Sequence, residues 1–183
     1  MTMTRDEARR MLDEADLVCP AETIQTTIDR LAGEITTALA DRYPLVLTVM
    51  GGAVVFAGQL LPRLAFPLEC DYLHATRYGA DLAGSELTWI VEPRKSLVGR
   101  TVLVLDDILD EGVTLAAIKE KLLAQGAADC LLAVLVEKEL GHAKPVQANF
   151  TGVRLPNRFL FGCGMDARGA WRNLPAIYAV KDT

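Results

Sequence analysis

The amino-acid sequence predicts an α/β domain: a mostly parallel, twisted sheet with helices on both faces, plus a small cap from the N-terminal helices and the C-terminal segment. Three observations carry this. Several short runs are apolar at every position, as strands buried on both faces are. Other stretches space their apolar residues three and four apart, the mark of one helix face. In the middle of the chain these alternate as strand, helix, strand, strand, helix, strand, the order of crossover-linked parallel strands.

Each element follows from its residues. Thr4-Arg5-Asp6-Glu7 has the form of a capping box, and Ala8, Met11, Leu12 and Ala15 fall on one side of the stretch after it. Pro20 opens a second helix with Ile24, Ile28, Leu31, Ile35 and Leu39 on one face. Leu45 to Met50 reads as a buried strand, punctuated by Gly51-Gly52, and Ala53 to Leu64 as a helix. Leu68 to Tyr78 reads as a strand, Gly79 to Ser85 as a loop, and Leu87 to Val91 as a further strand. Thr101 to Leu105 is the clearest strand; Thr114 to Ala124 is helical and stops at Gly126. Cys130 to Val136 is again apolar throughout. Phe150 to Leu155, Phe159 to Phe161 and Ile177 to Val180 are short apolar pieces among turns. The division this implies is a single domain over 1–183, with a core of about 42–150 and a cap from about 1–41 and 151–183.

Composition narrows the function classes. The 183 residues suit one domain, and 51% apolar with 23% charged residues is ordinary globular usage. Nineteen Lys and Arg against twenty-four Asp and Glu give a net charge of −5, which argues against nucleic-acid or anionic-membrane partners. Cys19, Cys70, Cys130 and Cys163 are far apart and form no Cys-x-x-Cys pair, so they read as small buried thiols rather than a disulfide framework. Met1 to Arg10 lacks the apolar core of a signal peptide, and no apolar run approaches the ~20 residues of a membrane helix. The expectation is a soluble, cytoplasmic protein.

The chemistry concentrates in Val102-Leu103-Val104-Leu105-Asp106-Asp107-Ile108-Leu109-Asp110-Glu111-Gly112-Val113-Thr114. An apolar strand ends in two carboxylates, where open α/β sheets place their ligands. A short loop with a glycine then opens a helix, whose first amides lack partners and suit a phosphate. A lone Asp here would read as a solvated turn; paired acids followed by Asp-x-Gly-x-Thr do not.

This segment resembles the phosphoribosyl-pyrophosphate (PRPP) motif of the type I phosphoribosyltransferases. The resemblance implies that Asp106 and Asp107 hold the ribose hydroxyls. It implies that Asp110, Glu111, Gly112, Val113 and Thr114 wrap the 5′-phosphate, with Asp110 as the catalytic acid/base at the purine N7. Across about residues 45–180 the chain is similar to the hypoxanthine-guanine branch. There Lys138, at the end of the next strand, donates to a purine 6-oxo group, which disfavours adenine. Alone, Lys138 would be a solvated strand end, Phe159 a core residue and Arg172 a surface charge. In order with Leu155-Pro156-Asn157-Arg158-Phe159-Leu160-Phe161-Gly162, Gly164-Met165-Asp166 and Trp171-Arg172-Asn173-Leu174-Pro175, they match the branch's C-terminal signature. Phe159 would stack on the purine, the Leu160 backbone would bond its edge, Asp166 would face Mg²⁺, and Arg172 would bind pyrophosphate. Met50, Gly51 and Gly52 occupy the pyrophosphate loop, which in relatives starts with a non-proline cis peptide. Arg77 and Tyr78 fall at the flap that closes over the reacting centre. The implied partners are PRPP and a 6-oxopurine, with Mg²⁺ as cofactor, no nucleic acid and no membrane, in a homo-oligomer (dimer or tetramer).

The chain departs from the pattern at four positions. Met50 stands where relatives often carry lysine, and Arg77 where a serine commonly precedes the flap tyrosine; Arg77 is a candidate for the missing charge. Glu111 and Val113 replace a small hydroxyl residue and a frequent lysine, so Glu111 is expected to point to solvent. Lys138 and Phe159 fit hypoxanthine, guanine or xanthine alike, which leaves base-selective transferases as alternatives. A PRPP-sensing regulator would need a basic face, and residues 1–42 show none. A Rossmann-type domain would need a Gly-x-Gly-x-x-Gly after the first strand.

Overall fold

A computed structural model describes residues 3–77 and 87–181. The elements are α1 (Arg5–Glu14), β1 (Asp16–Cys19), α2 (Ala21–Leu39), β2 (Leu45–Val49), α3 (Val54–Leu60) with a 3₁₀ turn at Leu61–Arg63, β3 (Glu69–Arg77), β4 (Leu87–Val91), β5 (Thr101–Leu109), α4 (Val113–Ala124), β6 (Asp129–Glu139), β7 (Phe150–Pro156), β8 (Leu160–Phe161) and β9 (Ile177–Ala179). The capping box at Thr4 and Glu7 is formed in both directions. Tyr78 and the Gly79 to Ser85 loop lie outside the described residues.

The main sheet has the order β4-β3-β2-β5-β6-β7. Every pairing is parallel except that of β3 with the edge strand β4. The apolar runs are explained by two faces that are both covered. Leu103 and Leu105 point into a cluster with Ile24, Ile28, Leu31 and Ile35 of α2 and Phe56 and Leu60 of α3. Val102 and Val104 point the other way, with Leu45, Leu47, Leu132 and Val134, onto Leu115, Ile118 and Leu122 of α4. A strand sandwiched in this way has no solvent face, so alternation disappears from its sequence.

The order of the strands places the site. The chain moves outward from β2 through β3 to β4, then returns to the other side of β2 and continues through β5, β6 and β7. Connections therefore diverge between β2 and β5, and the carboxyl ends of these two strands border a crevice. Gly51-Gly52 follows β2 there, and Asp110 to Gly112 follows β5.

Two strands run longer, and one helix shorter, than the sequence suggests. β5 does not stop at Leu105: it stays paired with β6 as far as Leu109↔Glu137, so the acid pair stands inside the strand. β6 likewise extends to Glu139 and carries Lys138, opposite Leu155 of β7. The helix expected over 53–64 stops at Leu60, because Pro62 supplies no N–H to continue the α ladder.

A second, antiparallel sheet has the order β1-β9-β8. With α1 it forms the cap, which bears Phe159 and Leu160. The Arg158 guanidinium donates to Asp16 at 2.7 Å, and Trp171 Nε1 donates to the carbonyl of Ala8 at 2.9 Å, tying both ends of the chain together. The N-terminal helices divide: α1 joins this cap, whereas α2 lies over the main sheet. Cys19, Cys130 and Cys163 are buried as expected, but Cys70 is exposed, on a strand near the sheet edge; all four are free thiols. Among the described residues no helix is long and apolar enough to cross a membrane.

Candidate active site

One cleft of about 230 Å³ is lined by Asp107, Ile108, Asp110, Lys138, Phe159, Leu160, Met165, Asp166 and Arg172. Seven of these were singled out in the sequence; Ile108 and Met165 were not. The three chain segments involved are distant in sequence and meet at the crevice between the sheet and the cap.

Register explains the first contact. Leu109 pairs with Glu137 across β5 and β6, which brings the next residues, Asp110 and Lys138, side by side. Lys138 Nζ lies 2.7 Å from Asp110 Oδ2, its side chain only 12% exposed. After Asp110 the chain turns through Gly112, whose φ of 80° favours glycine, into α4. A Cβ there would also meet Leu109 at 3.2 Å. The first amides of α4, at Val113 and Thr114, have no partner within the helix, and the N-cap residue Gly112 has no side chain to cap them. Glu111 is exposed and points outward as expected, with Oε2 3.1 Å from Nε2 of His142.

The acid pair is packed from behind by backbone. A Cβ on Gly52 would collide with the Asp107 carboxylate, and a Cβ on Gly164 would collide with the carbonyl of Gly52. The 50–52 loop, Asp107 and the 162–166 turn are therefore stacked with no side chain between them. The Met50–Gly51 peptide is cis. Asp166 accepts from Gly169 N at 2.6 Å and pairs with Arg172 Nη2 at 2.6 Å, while Arg172 Nη1 donates to Gly164 O at 2.6 Å. Phe159 is 53% exposed, its ring uncovered at the cleft, whereas Leu160 is buried. Cys163 lies within the same turn, but burial pushes its thiol up to about 11, which makes it a packing residue and no nucleophile.

Lys138 and Arg172 thus pair with Asp110 and Asp166; among the described residues no cation pairs with Asp106 or Asp107, although the Arg172 charge partly offsets that of Asp107. Burial, then the charge of Asp107, pushes the Asp106 carboxyl well above the usual carboxylate range, and burial raises Asp107 as well. A folded-state pKa above the unfolded value means that the native state binds the extra proton, so stability falls as pH rises through that window. Asp106→Asn is expected to raise the melting temperature of the unliganded protein most at alkaline pH. The gain should shrink as pH falls through the raised pKa and vanish below the ordinary carboxylate value. Thermal melts across about pH 3–9 measure it, and a pH-independent gain would trace the effect to packing instead.

Among the described residues no group of three His, Cys, Asp or Glu could hold a metal by itself. The hard oxygen donors present still fit Mg²⁺, which uses one or two carboxylates and completes its shell with water and substrate phosphates.

Paired acids and a helix-opening loop at the switch point of a parallel sheet, faced by an exposed aromatic on a cap, define a site suited to a phosphorylated, hydroxyl-rich ligand beside a planar ring. The sequence matches the phosphoribosyl transferase domain over residues 20–168. It is 31% identical over 161 residues to the hypoxanthine-guanine phosphoribosyltransferase of Bacillus subtilis, covering 87% of this chain and 89% of the relative. It is 33% identical over 175 residues to the hypoxanthine-guanine-xanthine phosphoribosyltransferase of Tritrichomonas foetus, covering 94% and 96%. The fold superposes on the crystal structure of a hypoxanthine phosphoribosyltransferase from Staphylococcus aureus with a TM-score of 0.87 at 25% identity, covering 94% of this chain and 95% of that one. The chain belongs to the phosphoribosyltransferase family, in its hypoxanthine-guanine branch.

Proposed function

We propose that the protein transfers ribose 5-phosphate from PRPP to N9 of hypoxanthine or guanine, giving IMP or GMP and pyrophosphate, in purine salvage. The observation that carries this reading is the single cleft shared by Asp107, Asp110, Lys138, Phe159 and Arg172. In this reading the loop Asp110 to Thr114 wraps the 5′-phosphate with backbone amides and the Thr114 hydroxyl. Asp106 and Asp107 accept from the ribose hydroxyls, which gives the buried pair hydrogen-bond donors. Met50, Gly51, Gly52 and Arg172 bind the pyrophosphate. Phe159 stacks on the purine, the Leu160 backbone bonds its edge, and Lys138 donates to the 6-oxo oxygen. Asp110 holds the N7 proton as the bond to N9 forms.

Asp166 would face Mg²⁺, which when bound neutralises and orients the leaving pyrophosphate. Arg77, at the end of β3, and Tyr78 belong to the flap in this reading, with Arg77 supplying charge that Met50 does not. Arg77→Ala is then expected to weaken PRPP binding in a titration, and unchanged affinity would reject that role. The enzyme is read as a cytoplasmic homo-oligomer, a dimer or tetramer.

The test is to incubate the protein with PRPP, Mg²⁺ and each of hypoxanthine, guanine, xanthine and adenine separately, and to measure nucleotide. Product from 6-oxopurines is expected. The relative of Tritrichomonas foetus is named for xanthine as well, so product from xanthine would widen the reading to three bases. Product from adenine alone would overturn the role of Lys138, and PRPP binding without product from any base would favour a PRPP-sensing regulator. Phe159→Ala should raise the purine KM about 10- to 100-fold, since stacking on an aromatic is worth about 1–3 kcal/mol per base. The PRPP KM should stay nearly unchanged.

A further inference from the structure

A buried lysine outside the sequence motifs joins the carboxyl ends of β5 and β6 beside the cleft. Lys144 lies in the connection between β6 and β7, and its side chain is 8% exposed. Its ammonium donates to the carbonyl of Leu109 at 2.9 Å and to the carbonyl of Lys138 at 2.6 Å, with Glu137 Oε1 at 3.9 Å. An ammonium has three donors, and burying one is tolerated only when they are met. The two carbonyls meet two of them, and the Glu137 carboxylate stands at ion-pair distance, which together hold the side chain in one place.

The two carbonyls are informative. Leu109 is the last residue of β5, directly before Asp110, and the other carbonyl belongs to Lys138 itself. Beyond Leu109↔Glu137 the two strands share no further pairing, because the chain leaves β5 for the 110–112 turn. At that point the strand ladder no longer fixes the distance between Asp110 and Lys138, and the Lys144 ammonium bridges the gap. A Cβ built on Gly112 would meet the Lys144 side chain at 3.5 Å, so the same residue also backs the loop that follows Asp110.

We infer that Lys144 is a positioning residue for the Asp110–Lys138 pair: it touches no reacting atom and holds the acid/base and the base-recognising lysine at their 2.7 Å separation. This rests on the roles proposed above for Asp110 and Lys138. The rival reading is a lysine that only stabilises the fold.

Lys144→Met removes the ammonium and keeps the length, and Lys144→Arg keeps a cation with several donors. Steady-state kinetics with PRPP and hypoxanthine or guanine, with melting temperatures alongside, test the inference. Lys144→Met is expected to lower kcat/KM for the purine about 100-fold, the scale of a misplacement of about 1 Å in a reacting group. The PRPP KM should stay within about three-fold, and Lys144→Arg should recover about ten-fold of the loss. In a Lys138→Gln background the same substitution should cost less than about three-fold, since residues that act through one another are not additive. An equal loss in both backgrounds would overturn the inference and leave a structural lysine, and so would purine kinetics within about three-fold of wild type in the single variant. Should Lys144→Met fail to fold, Lys144→Gln, which keeps one donor, carries the same comparison. A wild-type protein without transfer to any 6-oxopurine would overturn the parent reading instead, so the two failures are distinct.

Discussion

Asp110→Asn is expected to lower kcat by about 10²- to 10⁴-fold, the range for losing a positioned acid or base. The KM values for PRPP and purine should move by only a few-fold. The geometry separates these effects. Asparagine has the same shape and keeps a carbonyl oxygen toward Lys138 Nζ, which lies 2.7 Å from Oδ2 in the native pair. The 110–114 loop, its Gly112 turn and the first amides of α4 owe nothing to the Asp110 side chain, so phosphate binding should survive. What disappears is the ability to hold and release a proton beside the purine. A kcat equal to wild type would remove Asp110 from the mechanism and reduce it to a partner of Lys138.

Much of this arrangement was legible along the chain because its signals are local. Two acids after an all-apolar strand, then a glycine turn and a helix start, are contiguous residues whose joint meaning survives without coordinates. The same holds for the capping box at Thr4 and the apolar face of α2. What sequence could not show depends on pairing between distant segments. β1 is four residues with one fully buried side chain, Cys19, and it exists as a strand because β9 pairs with it from the other end of the chain. β5 outruns its apolar stretch because β6 keeps bonding to it past the acids. The Asp110–Lys138 contact follows from a register between strands, and a register is invisible until the strand order is known. Lys144 carried no signal at all: a single lysine in a polar connection reads as solvated, and only the two carbonyls that converge on it show otherwise. The opposite holds for the net charge, an average over the chain that hid the two acids buried side by side at Asp106 and Asp107.

Gly52→Ala should be almost as damaging as loss of Asp110, with no change to any chemical group. A methyl at this position would sit 2.5 Å from the Asp107 carboxyl carbon and 2.8 Å from Oδ1, well inside van der Waals contact. Asp107 cannot swing clear: it is 9% exposed, and Gly164 packs on its other side with its ideal Cβ position 3.6 Å from the Asp107 Cβ. Either the 50–52 loop or the carboxylate must shift, and both belong to the proposed site. The expected result is a loss of about 100-fold or more in kcat/KM for PRPP, the scale of a misplacement near 1 Å. Stability should fall by about 1–3 kcal/mol, as for overpacking elsewhere. Gly51→Ala is the matched control in the same loop, since nothing lies within 4 Å of its Cβ position, and its loss should be at least about ten-fold smaller. A double-mutant cycle identifies the cause. In an Asp107→Ala background, the carboxylate is gone and Gly52→Ala should cost little stability, because the substitution and the group it meets are coupled only through that contact. Equal destabilisation in both backgrounds would mean that the backbone, not the carboxylate, demands glycine at this position.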